Sequence, residues 1–411
     1  MTEGKPRIAV VSPFLDKQHG TERCVAEQLE RLAGDYEFHV YSTRIADMDL
    51  RRIIWHRIPA IPGPHLFKYI WFFCANHVWR WSGRASGKID FDLTYSPGIN
   101  CFDAELIAVH IVFAEFFERV HGSSISRANQ SGSWFRVLHR KLFYRLAIWL
   151  ERRIYTRQAL PLIAVSQKVE NDLERFYGSR DYSFVVYNGI ESTKFNPQVR
   201  ERLRAQARES FGYSVSDFVL LLVGNDWRKK GLSCLLEAAV LLSDRRVKVA
   251  VVGKDDISPF RAVLESKNLK SSVQFLPLRP DPEFYYAAAD AYAGPSLEDA
   301  FGIPPLEAMA CALPVIVSRQ SGVSELITHG EDGYILEDPT QPEELAPLIA
   351  KLYEDQELRE RMGRRAAETA RQYTWERNAA RFREVLLGVL AKKQEKHSIP
   401  RTEVDCREAR D

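Results

Sequence analysis

The chain opens a parallel sheet twice. "RIAVVSPF" (7–14) is a short, continuous apolar run rich in Val and Ile, as expected of a strand covered on both faces. A polar turn containing Gly20 follows, then Val25, Leu29 and Leu32 at helical spacing, then a second strand, "YEFHVYST". This is a β-loop-α-β unit whose glycine-bearing loop sits at the carboxyl edge of the strand, where open α/β sheets bind ligands. The same opening recurs in "DFVLLLVGNDWRKKGLSCLLEAAVLL" (217–242): an apolar strand ends at Gly224, a basic loop follows, and a helix begins near Leu232. Further strands are expected in 247–253, 272–277, 291–296 and 314–318, separated by helical stretches. At 411 residues the chain exceeds what one core usually supports, so two doubly wound α/β domains are predicted.

"SFVVYNGIESTKFNP" (183–197) has the Asn-Gly and Asn-Pro punctuation of a connector, which sets the domains at 1–188 and 189–372. From about Lys392 the chain is charged and lacks periodicity, and residues 392–411 are expected to be a disordered tail.

A net charge of +2 with 27% charged residues argues against a dedicated nucleic-acid binder. Residues 1–185 carry 25 Lys and Arg against 20 Asp and Glu, so the first domain holds the basic surface. The six cysteines lie far apart with no C-x-x-C, which supports neither a zinc site nor a disulfide framework and fits a reducing cytosol. "MTEGKPR" leads directly into a strand, so no secretory signal is expected, and no window of 18 uncharged apolar residues suggests a membrane span.

Two constellations carry chemistry. In "GNDWRKKG", Arg228, Lys229 and Lys230 crowd a turn just before a helix amino terminus, where free N–H groups already favour an anion. Mutually repelling cations there suggest a polyanionic partner; a solvated basic turn is the bland alternative. In "DAFGIPPLEAMACALPVIVS" (299–318), Asp299 and Glu307 bracket Gly302 and two prolines ahead of an apolar run. Glu307 is expected to begin the helix "LEAMACA" and to accept two hydrogen bonds from a ribose diol, while Asp299 meets a second hydroxylated group. A favourable first-turn helix residue would explain Glu307 alone but not the combination. Phosphate, ribose and sugar together describe a nucleotide-sugar.

The segment from Pro295 to Pro339 resembles the donor-site signature of family 4 glycosyltransferases, which have the two-domain GT-B fold. The family's Glu, seven residues, Glu reads here as Asp299, seven residues, Glu307, so the first acid is one methylene shorter. "IAVSQKVENDL" (163–173) is similar to the family's interdomain region, and "HGTER" (19–23) to its Gly-Gly-x-Glu loop, with His19 for the first glycine. "GNDWRKKG" is similar to the lipopolysaccharide-core glucosyltransferases of the family. The resemblance implies that Lys229 and Lys230 hold the donor diphosphate and that Gly20 lies in the loop closing over it. It further implies that Glu307 binds ribose, and that Asp299, Phe301, Gly302 and Ile303 surround the transferred sugar. His110, after the strand in "ELIAVHIVFAE", resembles the family's cleft histidine, although a lone His after a strand is more often structural. Residues 373–391, with "YTWERNAARF", are expected to form a helix crossing back to the first domain.

The implied activity is retaining transfer of a hexose from a nucleotide diphosphate sugar, UDP- or GDP-linked, with no cofactor, no metal and no protein nucleophile. His110, Asp299 and Lys230 are the residues expected at the reacting centre. The acceptor is expected to be a saccharide or lipid-linked saccharide of the cell envelope. "SWFRVLHRKLFYRLAIWLERRIYTRQ" (133–158) has seven Arg and Lys against Glu151 alone, with Leu138, Leu142, Leu146, Trp149, Leu150 and Ile154 as a helical stripe. Such a helix can lie on an anionic membrane, as could "LFKYIWFFCANHVWRW" (66–81) with its seven aromatic residues. The expected location is therefore cytoplasmic, peripheral at the inner membrane face. An inactive nucleotide-sugar-binding subunit and a transferase acting on a soluble acceptor are the alternatives.

Overall fold

The computed structural model describes residues 4–85, 90–121, 134–242 and 246–398. The first domain is a seven-stranded parallel sheet: β1 (Arg7–Val11), β2 (Glu37–Ser42), β3 (Ile54–Arg57), β4 (Leu93–Pro97), β5 (Leu106–Val109), β6 (Leu162–Ala164) and β7 (Ser183–Val185). Their spatial order is β3-β2-β1-β4-β5-β6-β7. The second domain has six strands: β8 (Phe218–Val223), β9 (Val247–Val252), β10 (Val273–Leu276), β11 (Ala291–Gly294), β12 (Val315–Ser318) and β13 (Tyr334–Leu336). They lie in the order β10-β9-β8-β11-β12-β13. In both sheets the strand order reverses beside the first strand, and the crevice beyond the carboxyl ends at such a switch point is where ligands bind. The central strands of each sheet are buried along almost their whole length because helices cover both faces, which is why they read as unbroken apolar runs, whereas the edge strands β3 and β7 are only partly covered.

The chain crosses between domains twice, and the crossings touch. Ile190 N–H donates to the Tyr373 carbonyl at 3.1 Å, and Trp375 N–H to the Ile190 carbonyl at 3.3 Å. The helix Trp375–Ser398 then returns to the first domain, where Ala379, Phe382, Val385, Leu386, Val389 and Leu390 join one apolar cluster with Ile8, Val10, Val25 and Leu29. The expected disordered start at 392 is corrected: the helix continues to Ser398, with Lys393 Nζ 2.7 Å from the Asp92 carbonyl and 2.6 Å from Glu105. Anchors on the first domain replace the missing apolar periodicity. Residues 399–411 of the expected tail lie outside the described residues.

The apolar stripe expected over 133–158 is also corrected. The helix Trp134–Tyr155 forms, but Leu150 and Ile154 turn into the core while Leu138, Leu142 and Trp149 are exposed. It packs beside the helix His65–Ala85, with Phe143 edge-on to His65 and Tyr69. That neighbour leaves Phe67, Ile70, Val78 and Trp81 exposed, Trp81 at 71%.

Candidate active site

The turn after β8 presents its two lysines in different directions. Asp226 takes a positive φ of 56°, and its Oδ1 accepts the Lys229 N–H at 3.2 Å, which sets the turn. The Lys230 ammonium pairs with Asp299. Lys229 Nζ lies 3.1 Å from Glu298 and 5.0 Å from the ring centre of Phe116, a first-domain residue. Neighbouring lysines are thus matched by neighbouring acids. The two cations expected to meet a polyanion are each paired with a carboxylate, and a bound diphosphate would share them with Glu298 and Asp299. Burial works against ionisation of Asp299, but Lys230 and Lys229 and the Phe301 N–H outweigh it and hold the carboxyl below its usual range. Lys229 is the mirror case, with burial opposing its charge and Glu298 and Asp299 raising its pKa.

Glu298 was not singled out in the sequence, yet it bridges the cleft. Besides Lys229 it reaches Lys168 of the first domain at 3.4 Å, and Lys168 also pairs with Asp172 at 2.7 Å. The expected interdomain segment supplies more cross-links. Ser166 Oγ donates to the Ala300 carbonyl at 2.6 Å while capping the helix Gln167–Tyr177, whose Gln167 N–H donates to Glu325 at 3.0 Å.

The segment after Asp299 explains its own odd composition. Gly302 sits at φ +94°, and a Cβ there would approach Ser321 Oγ at 2.9 Å, so the position demands glycine on both counts. The helix begins at Ile303 and runs to Ala310. Pro304 and Pro305 have no N–H to offer, so the amino-terminal donors they leave are those of Gly302 and Ile303. Phe301 is buried and its carbonyl accepts from Val323 N–H at 2.6 Å, which fixes this backbone.

Glu307 is not the helix start that was expected; it is the fifth helical residue and is 5% exposed. A favourable first-turn placement therefore cannot account for it. Its carboxylate is held by Arg23 Nη1 at 2.7 Å and by the Tyr286 hydroxyl, which donates at 2.6 Å.

The opposite wall comes from the first domain. Gly20 opens the helix Gly20–Leu32 and is not part of the preceding loop; a Cβ on it would lie 3.8 Å from Ile303 Cδ1. His19 precedes it, its Nδ1 2.8 Å from Asp16. His110 follows β5 with its Nε2 buried and without a hydrogen-bond partner, and burial pushes the imidazole pKa down to about 4. A neutral ring with an unused nitrogen can donate to or accept from a hydroxyl, depending on its tautomer. Beyond it, Glu151 accepts the N–H groups of Phe113 at 2.7 Å and Ala114 at 3.2 Å, and the Tyr177 hydroxyl at 2.6 Å. The structure thus brings Lys230, Asp299, Lys229, Gly302, Ile303 and Glu307 to one edge of the second sheet. Among the described residues no group of three or more His, Cys, Asp or Glu is placed to hold a metal ion.

Two parallel-sheet domains facing across a cleft, with lysine–carboxylate pairs at the carboxyl edge of the second, define the GT-B class. The pattern described as "Glycosyltransferase Family 4" matches residues 19–194 and that of "Glycosyl transferases group 1" matches 204–369. The chain belongs to this family of glycosyltransferases. A D-inositol 3-phosphate glycosyltransferase of Arthrobacter sp. (strain FB24) is 32% identical over 230 residues, 54% of this chain and 53% of the relative. The chain thus spans about half the length of the curated relatives it matches. The fold is shared with WaaG, a glycosyltransferase involved in lipopolysaccharide biosynthesis (TM-score 0.72, 21% identity, 89% of this chain and 94% of that one). It is shared also with Anabaena HepE in complex with UDP and glucose (TM-score 0.70, 19% identity, 93% and 100% covered).

Proposed function

We propose that the protein is a retaining glycosyltransferase that moves a hexose from a UDP- or GDP-linked sugar to a saccharide or lipid-linked saccharide in cell-envelope glycan synthesis. The observation that carries this reading is the segment from Asp299 to Glu307. It joins a carboxylate paired with Lys230, a helix amino terminus whose donors are limited to Gly302 and Ile303, and a second carboxylate, Glu307, that is buried. HepE, of the same fold, was solved with UDP and glucose, which supports a nucleotide-sugar donor.

In this reading the bond from the anomeric carbon to the donor phosphate oxygen breaks as the acceptor oxygen bonds from the same face. The acceptor's proton passes to a phosphate oxygen of the leaving diphosphate. Charge developing on that diphosphate is met by Lys230, Lys229 and the N–H groups of Gly302 and Ile303 in a desolvated cleft. His110 donates to or accepts from a sugar hydroxyl, and Asp299 orients Lys230 and a further hydroxyl. No protein nucleophile takes part.

The lipid-linked acceptor rests on the exposed apolar residues of helices His65–Ala85 and Trp134–Tyr155, flanked by exposed Arg140, Lys141, Arg145, Arg152 and Arg153. Among the described residues no helix is long and apolar enough to cross a membrane, so contact would be peripheral, at the inner face of the cytoplasmic membrane. A soluble phosphorylated acceptor is the second reading, favoured by the name of the sequence relatives.

The test is nucleoside diphosphate release from a panel of UDP-, GDP- and ADP-sugars, with Glu307→Ala and Lys230→Ala as controls. Release from one donor, lost in both variants, supports the reading; no binding or release from any donor, with membrane extract as acceptor source, overturns it in favour of an inactive subunit.

A further inference from the structure

Arg23 belongs to "HGTER", yet nothing in the reaction above uses it. It lies in the first turn of the helix Gly20–Leu32, and its guanidinium crosses the cleft to Glu307 Oε1 at 2.7 Å. Its side chain is 19% exposed, and its guanidinium carbon is 5.6 Å from the ring centre of Trp375, the first residue of the helix that returns from the second domain. Arg23 therefore touches both the carboxylate assigned to ribose and the second interdomain crossing.

The stoichiometry at Glu307 is informative. An ionised carboxylate offers about four lone-pair sites, two on each oxygen. Arg23 uses one on Oε1 and Tyr286 one on Oε2. One site remains on each oxygen, the number that two vicinal hydroxyls require. A carboxylate this buried also needs a fixed cationic partner to remain in place. Tyr286 is neutral, and burial followed by the adjacent Glu307 charge raises its pKa further. Arg23 is the cation in contact.

We propose that Arg23 is a positioning residue for the donor: reaching from the first domain, it orients the Glu307 carboxylate of the second so that its two open sites face the ribose diol. Diol recognition then depends on the spacing of the domains. This rests on the assignment of Glu307 to ribose.

The experiment compares binding of UDP and 2′,3′-dideoxy-UDP, or the GDP pair if the donor panel selects guanine, to the full chain by calorimetry. Wild type is expected to favour the ribo form by about tenfold or more, the range of hydrogen bonds to a charged group. Arg23→Met is expected to bring that ratio close to one, with affinity for the dideoxy form changed by less than about threefold. Arg23→Lys, which keeps the charge without the planar fork, is expected to fall between and serves as the test if Arg23→Met does not fold. A merely structural loss would weaken both ligands alike and leave the ratio intact. A wild-type ratio retained in both variants overturns the role of Arg23 while sparing that of Glu307. A ratio near one in wild type itself overturns the ribose assignment and the proposal with it.

Discussion

Gly189→Ala is predicted to separate the two interdomain crossings. A Cβ on Gly189 would lie 2.3 Å from the Thr374 carbonyl carbon, 2.4 Å from Trp375 N and 2.6 Å from Thr374 O. All three are backbone atoms, so no side chain can swing aside. Ordinary contact needs about 3.4 Å or more, so the strands of the crossing must part by roughly 1 Å. That displacement breaks the Ile190–Tyr373 and Trp375–Ile190 hydrogen bonds, about 0.5–1.5 kcal/mol each. It also shifts Trp375, which is fully buried. The expected loss is about 2–4 kcal/mol, and the angle between the domains should change with it. Gly34→Ala is the control, because nothing lies within 4 Å of its Cβ position. Urea unfolding gives the stability difference, and donor turnover reports the cleft. Gly189→Ala within about 0.5 kcal/mol of wild type, with turnover unchanged, would refute the reasoning.

Lys230→Met leaves Asp299 a largely covered carboxylate, 15% exposed, with Lys229 the cation still acting on it, and is expected to cost about 2–3 kcal/mol of stability. Adding Asp299→Leu should restore most of that in thermal melts but none of the turnover; failure of the second change to restore stability would show that the pair is not coupled. Burial pushes the Glu151 carboxyl up to about 7, against the Tyr177 hydroxyl and the Phe113 and Ala114 N–H groups that draw it down. A carboxyl whose pKa rises on folding favours the folded state fully below its ordinary value and loses that advantage as pH climbs through 7. Relative to wild type, Glu151→Gln should therefore gain up to roughly 3 kcal/mol between pH 5 and pH 8 in urea titrations; a constant difference across that range contradicts it. Leu142→Glu combined with Trp149→Glu should abolish sedimentation with anionic vesicles while sparing release of nucleoside diphosphate from a water-soluble acceptor assay. Sedimentation by the double variant would place the contact elsewhere.

Strands β3, β4, β6, β7 and β13, only three to five residues long, were not legible in the sequence, and β7 lies inside the stretch with connector punctuation. Strands β1, β2, β5 and β8 to β12 and both Rossmann-like openings were legible because a strand covered on both faces must be apolar throughout, and that signal is local. The spacing of Asp299 and Glu307 was legible for the same reason. Glu298 was not: its meaning comes from Lys229 and Lys168, and Lys168 lies 130 residues away in the chain. Arg23 is 284 residues from Glu307, and no local pattern marks such a pair. The Ile303–Ala310 helix starts earlier than expected: Pro304 and Pro305 occupy its first turn, where an N–H is dispensable. In 133–158, periodicity revealed an apolar stripe but could not say which part faced the core; Leu150 and Ile154 join the core cluster, and Leu138 and Leu142 stay exposed.

The helix Trp375–Ser398 completes the first domain with material made long after that domain's own sheet. Its last strand ends at Val185, and the covering residues from Ala379 to Leu390 leave the ribosome only after the whole second domain. At roughly 5–20 residues per second, about 190 residues represent some 10–40 s of synthesis. During that interval the face formed by Ile8, Val10, Val25 and Leu29 has no lid and is open to chaperones or to neighbouring nascent chains. The two domains are separate in their sheets but not in their birth: the first is finished by the act of finishing the second.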